Sequence, residues 1–149
     1  MNKTTSLFFF LFLFAGLTSC LKEEADPDVI IKNSIPLTGS QEVPAVPTNG
    51  TGELHLQYRK SSRTLTYNIT WEGLSSAPAA IYFHGPASPG QNANPVLPVT
   101  DFAEATSGSK AGSVEIEEGK VNDFLGGKWY VNIQTANYRR GEVRGQIQL

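Results

Sequence analysis

The sequence predicts an all-β domain, a two-layer antiparallel β-sandwich of about seven or eight short strands with one short helical turn. Three observations carry that prediction. Apolar and polar residues alternate with period two in several short runs, as in Leu54, Leu56 and Tyr58 against Glu53, His55 and Gln57. Glycine and proline, 14 and 9 residues, punctuate those runs, which suits many turns and interrupts long helices. Charge is sparse, of both signs and formally −2, with no basic block interleaved with aromatics, so nucleic acid is not an expected partner. A chain of 149 residues accommodates one such domain.

The chain opens outside that domain. Lys3 precedes Leu7-Phe8-Phe9-Phe10-Leu11-Phe12-Leu13-Phe14-Ala15-Gly16-Leu17, an apolar run shorter than the roughly 20 residues that span a bilayer. Residues 1–19 therefore read as a signal peptide. The run ends in Leu17-Thr18-Ser19-Cys20, which resembles the lipobox of bacterial lipoproteins, where small residues precede a cysteine that is acylated and becomes the new first residue. Cys20 is the sole cysteine, so an internal disulfide is impossible, and its place at the cleavage point points to lipid attachment. Two or more acyl chains hold stably, since each buried methylene contributes about 0.8 kcal/mol. Leu21-Lys22-Glu23-Glu24-Ala25-Asp26-Pro27-Asp28 is acidic and has little to bury, so residues 20–33 read as the lipidated cysteine and a solvated tether. The expected partner is thus a membrane, reached through the N-terminal lipid. The expected location is the bacterial cell envelope, at the periplasmic or the cell-surface face of the outer membrane.

The domain proper is residues 34–149. Val29-Ile30-Ile31 and Ile35-Pro36-Leu37 form the first apolar run, and the proline suits an edge strand, which loses least from a missing N–H. Gln41 to Thr48, with Pro44 and Pro47, reads as a rigid strap across the sheet edge, because proline fixes φ and disfavours helix before it. Leu54, Leu56 and Tyr58, then Leu65, Tyr67, Ile69 and Trp71, are the apolar faces of a hairpin whose polar link runs from Arg59 to Arg63. Ala79 to His84 is the next strand. Gly85 to Pro95 is a surface loop of small residues, and Val96-Leu97-Pro98-Val99 a short edge piece. Ser107 to Gly112 reads as turn-rich, leading to Val114 and Ile116 in alternation with Glu115 and Glu117. Val121, Phe124 and Leu125 are spaced for one helical turn, ended by Gly126-Gly127. A last hairpin puts Trp129, Val131 and Ile133, then Val143, Ile147 and Leu149, on its apolar face. Tyr130, Asn132, Gln134, Glu142, Arg144, Gln146 and Gln148 then face water.

Three stretches carry a further signal: Leu37-Thr38-Gly39-Ser40-Gln41-Glu42-Val43-Pro44-Ala45-Val46, Ala80-Ile81-Tyr82-Phe83-His84-Gly85-Pro86-Ala87, and Trp129 to Thr135 with Gly141-Glu142-Val143-Arg144-Gly145-Gln146-Ile147. In order and spacing they resemble the three signatures of the chordin-type (CHRD) domain, over nearly everything after the tether. The resemblance implies an immunoglobulin-like or superoxide-dismutase-like sandwich, found in extracellular animal proteins and in secreted or lipid-anchored bacterial ones, its activity largely unassigned. It also marks Glu42, His84, Glu142 and Arg144 as structural motif residues. Where the family's middle signature usually reads His-Ile-His this chain has Tyr82-Phe83-His84, and where a later one reads Asn-Val-His-Thr it has Asn132-Ile133-Gln134-Thr135.

That departure bears on chemistry. His84 is left without the family's other histidines, and His55 lies on another strand. Zinc or copper needs three or four donors converging at about 2.0 to 2.3 Å, so no metal and no other cofactor is expected. Glu142 and Arg144, two apart, share a strand face, and the planar fork of Arg144 suits a bidentate carboxylate. Pairing it with Glu42 would tie the strap to the last hairpin. No Gly-x-Ser-x-Gly elbow exists, no acid is placed beside His84, and Glu53, Glu72, Glu115 and Glu117 read as solvated strand faces.

The expectation is therefore a non-enzymatic, lipid-anchored envelope module that binds or supports an envelope or extracellular protein. Its contact surface is expected at the Gly85 to Pro95 loop, and second at Asn137-Tyr138-Arg139-Arg140, where Tyr138, Arg139 and Arg140 are residue types enriched at binding hot spots. One alternative is a metal-dependent, dismutase-like redox protein, disfavoured by the missing histidines. The other is a carbohydrate-binding envelope module, which needs Trp71, Tyr82 or Trp129 exposed, although alternation turns both tryptophans inward.

Overall fold

In the computed structural model, which describes residues 25–149, each alternating run contributes a strand. These are β1 Val29–Thr38, β2 Thr51–Arg59, β3 Thr64–Glu72, β4 Pro78–His84, β5 Pro95–Val99, β6 Gly108–Glu115, β7 Trp129–Thr135 and β8 Val143–Ile147. One helix, α1 Glu118–Leu125, lies between β6 and β7 and passes into a turn at Gly126-Gly127, where Gly127 has φ +71. No helix among the described residues is long and apolar enough to cross a membrane. Cys20 and the expected signal peptide lie outside the described residues.

The strands form one antiparallel sheet in the order β5-β4-β7-β8-β1-β2-β3-β6. The β2–β3 and β7–β8 hairpins have the expected partners, with Leu54 opposite Ile69 and Ile133 opposite Val143. Two four-stranded halves meet at a single pair, Thr38 with Arg144. The outer strands β5 and β6 approach without pairing, Leu97 and Val114 lining a shared gap of about 120 Å³. The architecture is an all-β, nearly closed barrel-like sheet. Its two halves are joined in backbone pairing at that one position, Thr38 with Arg144.

Rings and aliphatic groups from both halves fill the interior. Tyr67 of β3 meets Phe83 of β4 edge-on with centroids 5.1 Å apart, and Trp71 and Trp129 are both buried. Phe124 of α1 closes one end, 5.0 Å from Tyr58 and 5.4 Å from Trp129. Such close aromatic pairs add to the area they remove from water.

Four expectations need correction or extension. β1 is not an edge strand: it lies between β8 and β2. Pro36 is tolerated there because its carbonyl accepts from Gln41 Nε2 at 2.8 Å, so its missing N–H also points away from β2, where β8 joins only at Thr38. Strand order also begins at Val29, inside the stretch read as tether. Asp28 leads into it, accepting from Lys60 N at 2.8 Å and Ser61 Oγ at 2.6 Å across the β2–β3 turn. The Ser107 to Gly112 stretch is mostly strand, not turn, and pairs with β3 from Trp71 to Tyr67. Its glycines make room for rings, since a Cβ at Gly108 would meet Trp71 Cζ2 at 2.8 Å and one at Gly112 would run into Tyr67. Finally, the strap leaves a short 3-10 turn at Gly39–Gln41 and lies over β7 and the β7–β8 turn rather than along a sheet edge, with Glu42 Oε1 accepting from Asn132 Nδ2 at 2.8 Å and Tyr138 Oη donating to Pro47 O at 3.3 Å.

Candidate functional site

Period-two geometry sends Tyr82 and His84 of β4, Tyr130 and Asn132 of β7, and Arg144 and Gln146 of β8 to one face. Register puts them in two rows, Tyr82-Asn132-Arg144 and His84-Tyr130-Gln146. This face, expected to be wet, is roofed by the strap and the Gly85 to Pro95 loop. Asn92 pins the roof, its Nδ2 donating to Val43 O at 2.9 Å while its Oδ1 accepts from Arg144 Nη1 at 3.3 Å. Tyr130, Asn132 and Arg144 are buried as a result, with Arg144 only 1% exposed.

Tyr130 is the centre of a stack. The His84 ring lies 4.8 Å from it at an interplanar angle of 5°, and the Arg144 guanidinium sits 3.5 Å from its centroid. His84 Nδ1 is 2.9 Å from Ala93 O, which requires the proton on Nδ1 and leaves Nε2 an acceptor with no partner among the described residues. Burial lowers the His84 pKa, the Ala93 bond opposes that shift, and the Arg144 charge adds to it.

Glu42 and Arg144 share the site without joining. Glu42 Oε1 accepts from Asn132 Nδ2 at 2.8 Å, whereas Arg144 Nη2 donates to Gln146 Oε1 at 2.9 Å. The expected Glu42–Arg144 pair is therefore not made, because stacking on Tyr130 aims the guanidinium at Asn92 and Gln146. Burial pushes the Glu42 carboxyl up to about 7, against the Arg144 charge and the Asn132 bond. Gly141, at φ +140, closes the site, since a Cβ there would strike the Asn132 amide and the Glu42 carboxylate. Between Gln41, Glu42 and Val43 on one side and Pro89 and Gly90 on the other, a cleft of about 160 Å³ opens onto Arg144.

Glu142 belongs to a different cluster, just before β8. Its carboxylate accepts from Thr48 Oγ1 at 2.6 Å, Ser75 N at 2.8 Å, Ser75 Oγ at 2.7 Å and Thr135 Oγ1 at 2.7 Å. Burial alone would raise its pKa, but those bonds outweigh burial and hold it below the ordinary value. Three segments, at Thr48, Ser75 and Thr135, are thus knotted on this one side chain.

Tyr138 packs back on the strap, while Arg139 and Arg140 are exposed on the β7–β8 turn and make no ion pair among the described residues. His55 is on the other half of the sheet, 3.2 Å from Glu53, and the strand order keeps it from His84. Among the described residues no three of His, Cys, Asp and Glu group as metal ligands do. Sequence reasoning passed over Tyr130, Asn132 and Asn92 as site residues. The signal available was that two polar positions of β7 fall in the same row pattern as Arg144 and His84.

The family model for the CHRD domain matches residues 34–147, and so spans the strap, the stack and the Glu142 knot. The chain belongs to the CHRD domain family. Neither a curated protein nor a solved structure matches it. In this CHRD domain the signature residues Glu42, His84, Glu142 and Arg144 serve two separate polar clusters that fasten strap and loop to the sheet.

Proposed function

We propose that this CHRD-domain chain is a non-enzymatic module, lipid-anchored through Cys20 to the outer membrane of a bacterial envelope, whose loops bind an envelope or extracellular protein. The observation that carries this reading is how the signature groups are used. Glu142 is saturated by four donors, and His84 is held by Ala93 and Tyr130. A general acid or base must reach a substrate proton, and these groups face their own neighbours. What is left outward are most of the Gly85 to Pro95 loop and the arginines Arg139 and Arg140, which make no ion pair among the described residues. The Leu17-Thr18-Ser19-Cys20 motif supports the anchor, and the single-pair seam between two half-sheets supports describing the fold as sandwich-like.

Cys20→Ala should shift the protein from the membrane to the soluble fraction, and a variant that still fractionates in the lipid-modified form defeats the anchor. Crosslinking on intact cells should capture a protein that the folded Arg139→Glu/Arg140→Glu variant loses. Equal capture by both would rule out this turn as the contact.

A further inference from the structure

Arg144 is the only buried cation among the described residues, and it has no carboxylate within ion-pair distance there. A buried charge is stable only when compensated. A guanidinium offers five N–H donors, of which Arg144 gives one to Asn92 and one to Gln146. The cleft between strap and loop opens on this unspent capacity. Its amide groups are already engaged: Gln41 Nε2 on Pro36 O, and Gln146 Nε2 on Ala87 O and Gly127 O. Arg144 and Glu42 are therefore the groups left to meet a ligand.

We propose that this cleft binds a single carboxylate, from a small organic acid or from the C-terminus of a peptide, with the Arg144 fork holding it and Glu42 as the neighbouring group that gates access. The inference rests on reading the chain as a binding module, and it names a ligand class for the strap-and-loop surface. One cation suits one negative charge, and a planar fork suits a planar carboxylate. A cleft of about 160 Å³ has room for a carboxylate terminus.

The ionisable groups around the cleft are Glu42 from the strap, His84 from β4, Tyr130 from β7 and Arg144 from β8, and residues 85–95 add only one further charge-free wall. His84 is driven toward its neutral form by burial and Arg144, so it does not compete for the ligand. Ionised Glu42 repels an incoming carboxylate, whereas protonated Glu42 donates to it. With the Glu42 carboxyl at about 7, the receptive fraction falls about tenfold from pH 6 to pH 8.

The test titrates sodium acetate, against sodium chloride at equal ionic strength, into the full chain in detergent, reading acetate line width by NMR and melting temperature. Binding should be about tenfold tighter at pH 6 than at pH 8, and Glu42→Gln should bind at pH 8 as wild type does at pH 6. Arg144→Lys keeps the charge without the fork and should weaken binding at least about tenfold; should it not fold, the Glu42→Gln comparison still decides. A tripeptide with a free C-terminus that binds while its amide does not assigns peptide ends, and acetate binding with neither peptide bound assigns small acids. An acetate response matched by chloride, or indifferent to pH and to Glu42→Gln, overturns the proposal. If the arginine-turn variant loses its crosslinked partner while acetate has no effect, this inference falls and the module reading stands.

Discussion

Glu42 and Glu142 are both buried carboxylates of the signature motifs, and their surroundings drive them in opposite directions. Glu42 has one hydrogen bond and a pKa raised from 4.5 to about 7, so the stability it contributes is complete below the unfolded value and is lost as pH rises through the folded one. The difference is roughly 3 kcal/mol at 1.36 kcal/mol per unit. Glu42→Gln preserves an acceptor for Asn132 and should raise the melting temperature at pH 8 while changing it little at pH 5. Glu142 has the reverse sign: its depressed pKa gives stability above the ordinary carboxyl range that is lost as pH falls through the folded value. Glu142→Ala strands four donors, and urea denaturation at pH 7 should show a loss of about 3 kcal/mol. The sequence singles out all four polar residues, but not their partners. Arg144 reads as a mate for Glu42 because chemistry alone suggests fork and carboxylate, and only the β7–β8 register and the path of the Gly85 to Pro95 loop show that Tyr130, Asn92 and Gln146 reach the guanidinium first.

Among the elements, β6 shows where alternation stops being informative. Gly108-Ser109-Lys110-Ala111-Gly112 has no apolar period and two glycines, the composition of a turn, yet it pairs residue for residue with β3. The pattern that explains it lies in the partner strand, where Tyr67 and Trp71 need space opposite glycine. Gly112→Val has better strand propensity but places carbon where the Tyr67 ring lies, so it should destabilise by about 1–3 kcal/mol in urea. A Gly112→Val variant as stable as wild type would show that the ring has somewhere else to go. The hairpins β2–β3 and β7–β8 were legible because each carries its own period and its own turn. The burial of Tyr130 and Asn132 was not, because period two says which residues share a face and nothing about what roofs it.

Over the whole molecule, the seam and the gap decide what holds the fold. The two half-sheets share one backbone pair at Thr38 and Arg144, and β5 and β6 do not pair at all, so hydrogen bonding across the halves is too thin to keep the barrel shut. Closure falls to the interior, where Tyr67, Phe83, Trp129 and Phe124 bridge strands from both halves. A core of that kind needs neither ion nor covalent staple, since burial of apolar surface, at about 25 cal/mol per Å², is the main force that favours folding. Treatment with a strong chelator and a reductant should therefore leave the melting temperature and the strand-type circular dichroism of the full chain unchanged. Val131→Asp tests the same point from inside. Val131 is fully buried between Phe83 and Gly145, and an unpaired carboxylate there costs several kcal/mol against a total stability of about 5–15 kcal/mol. That variant should be unfolded or molten at pH 7. A chelator that melts the wild type, or a Val131→Asp protein that keeps its cooperative transition, would mean that something other than apolar packing closes the sheet.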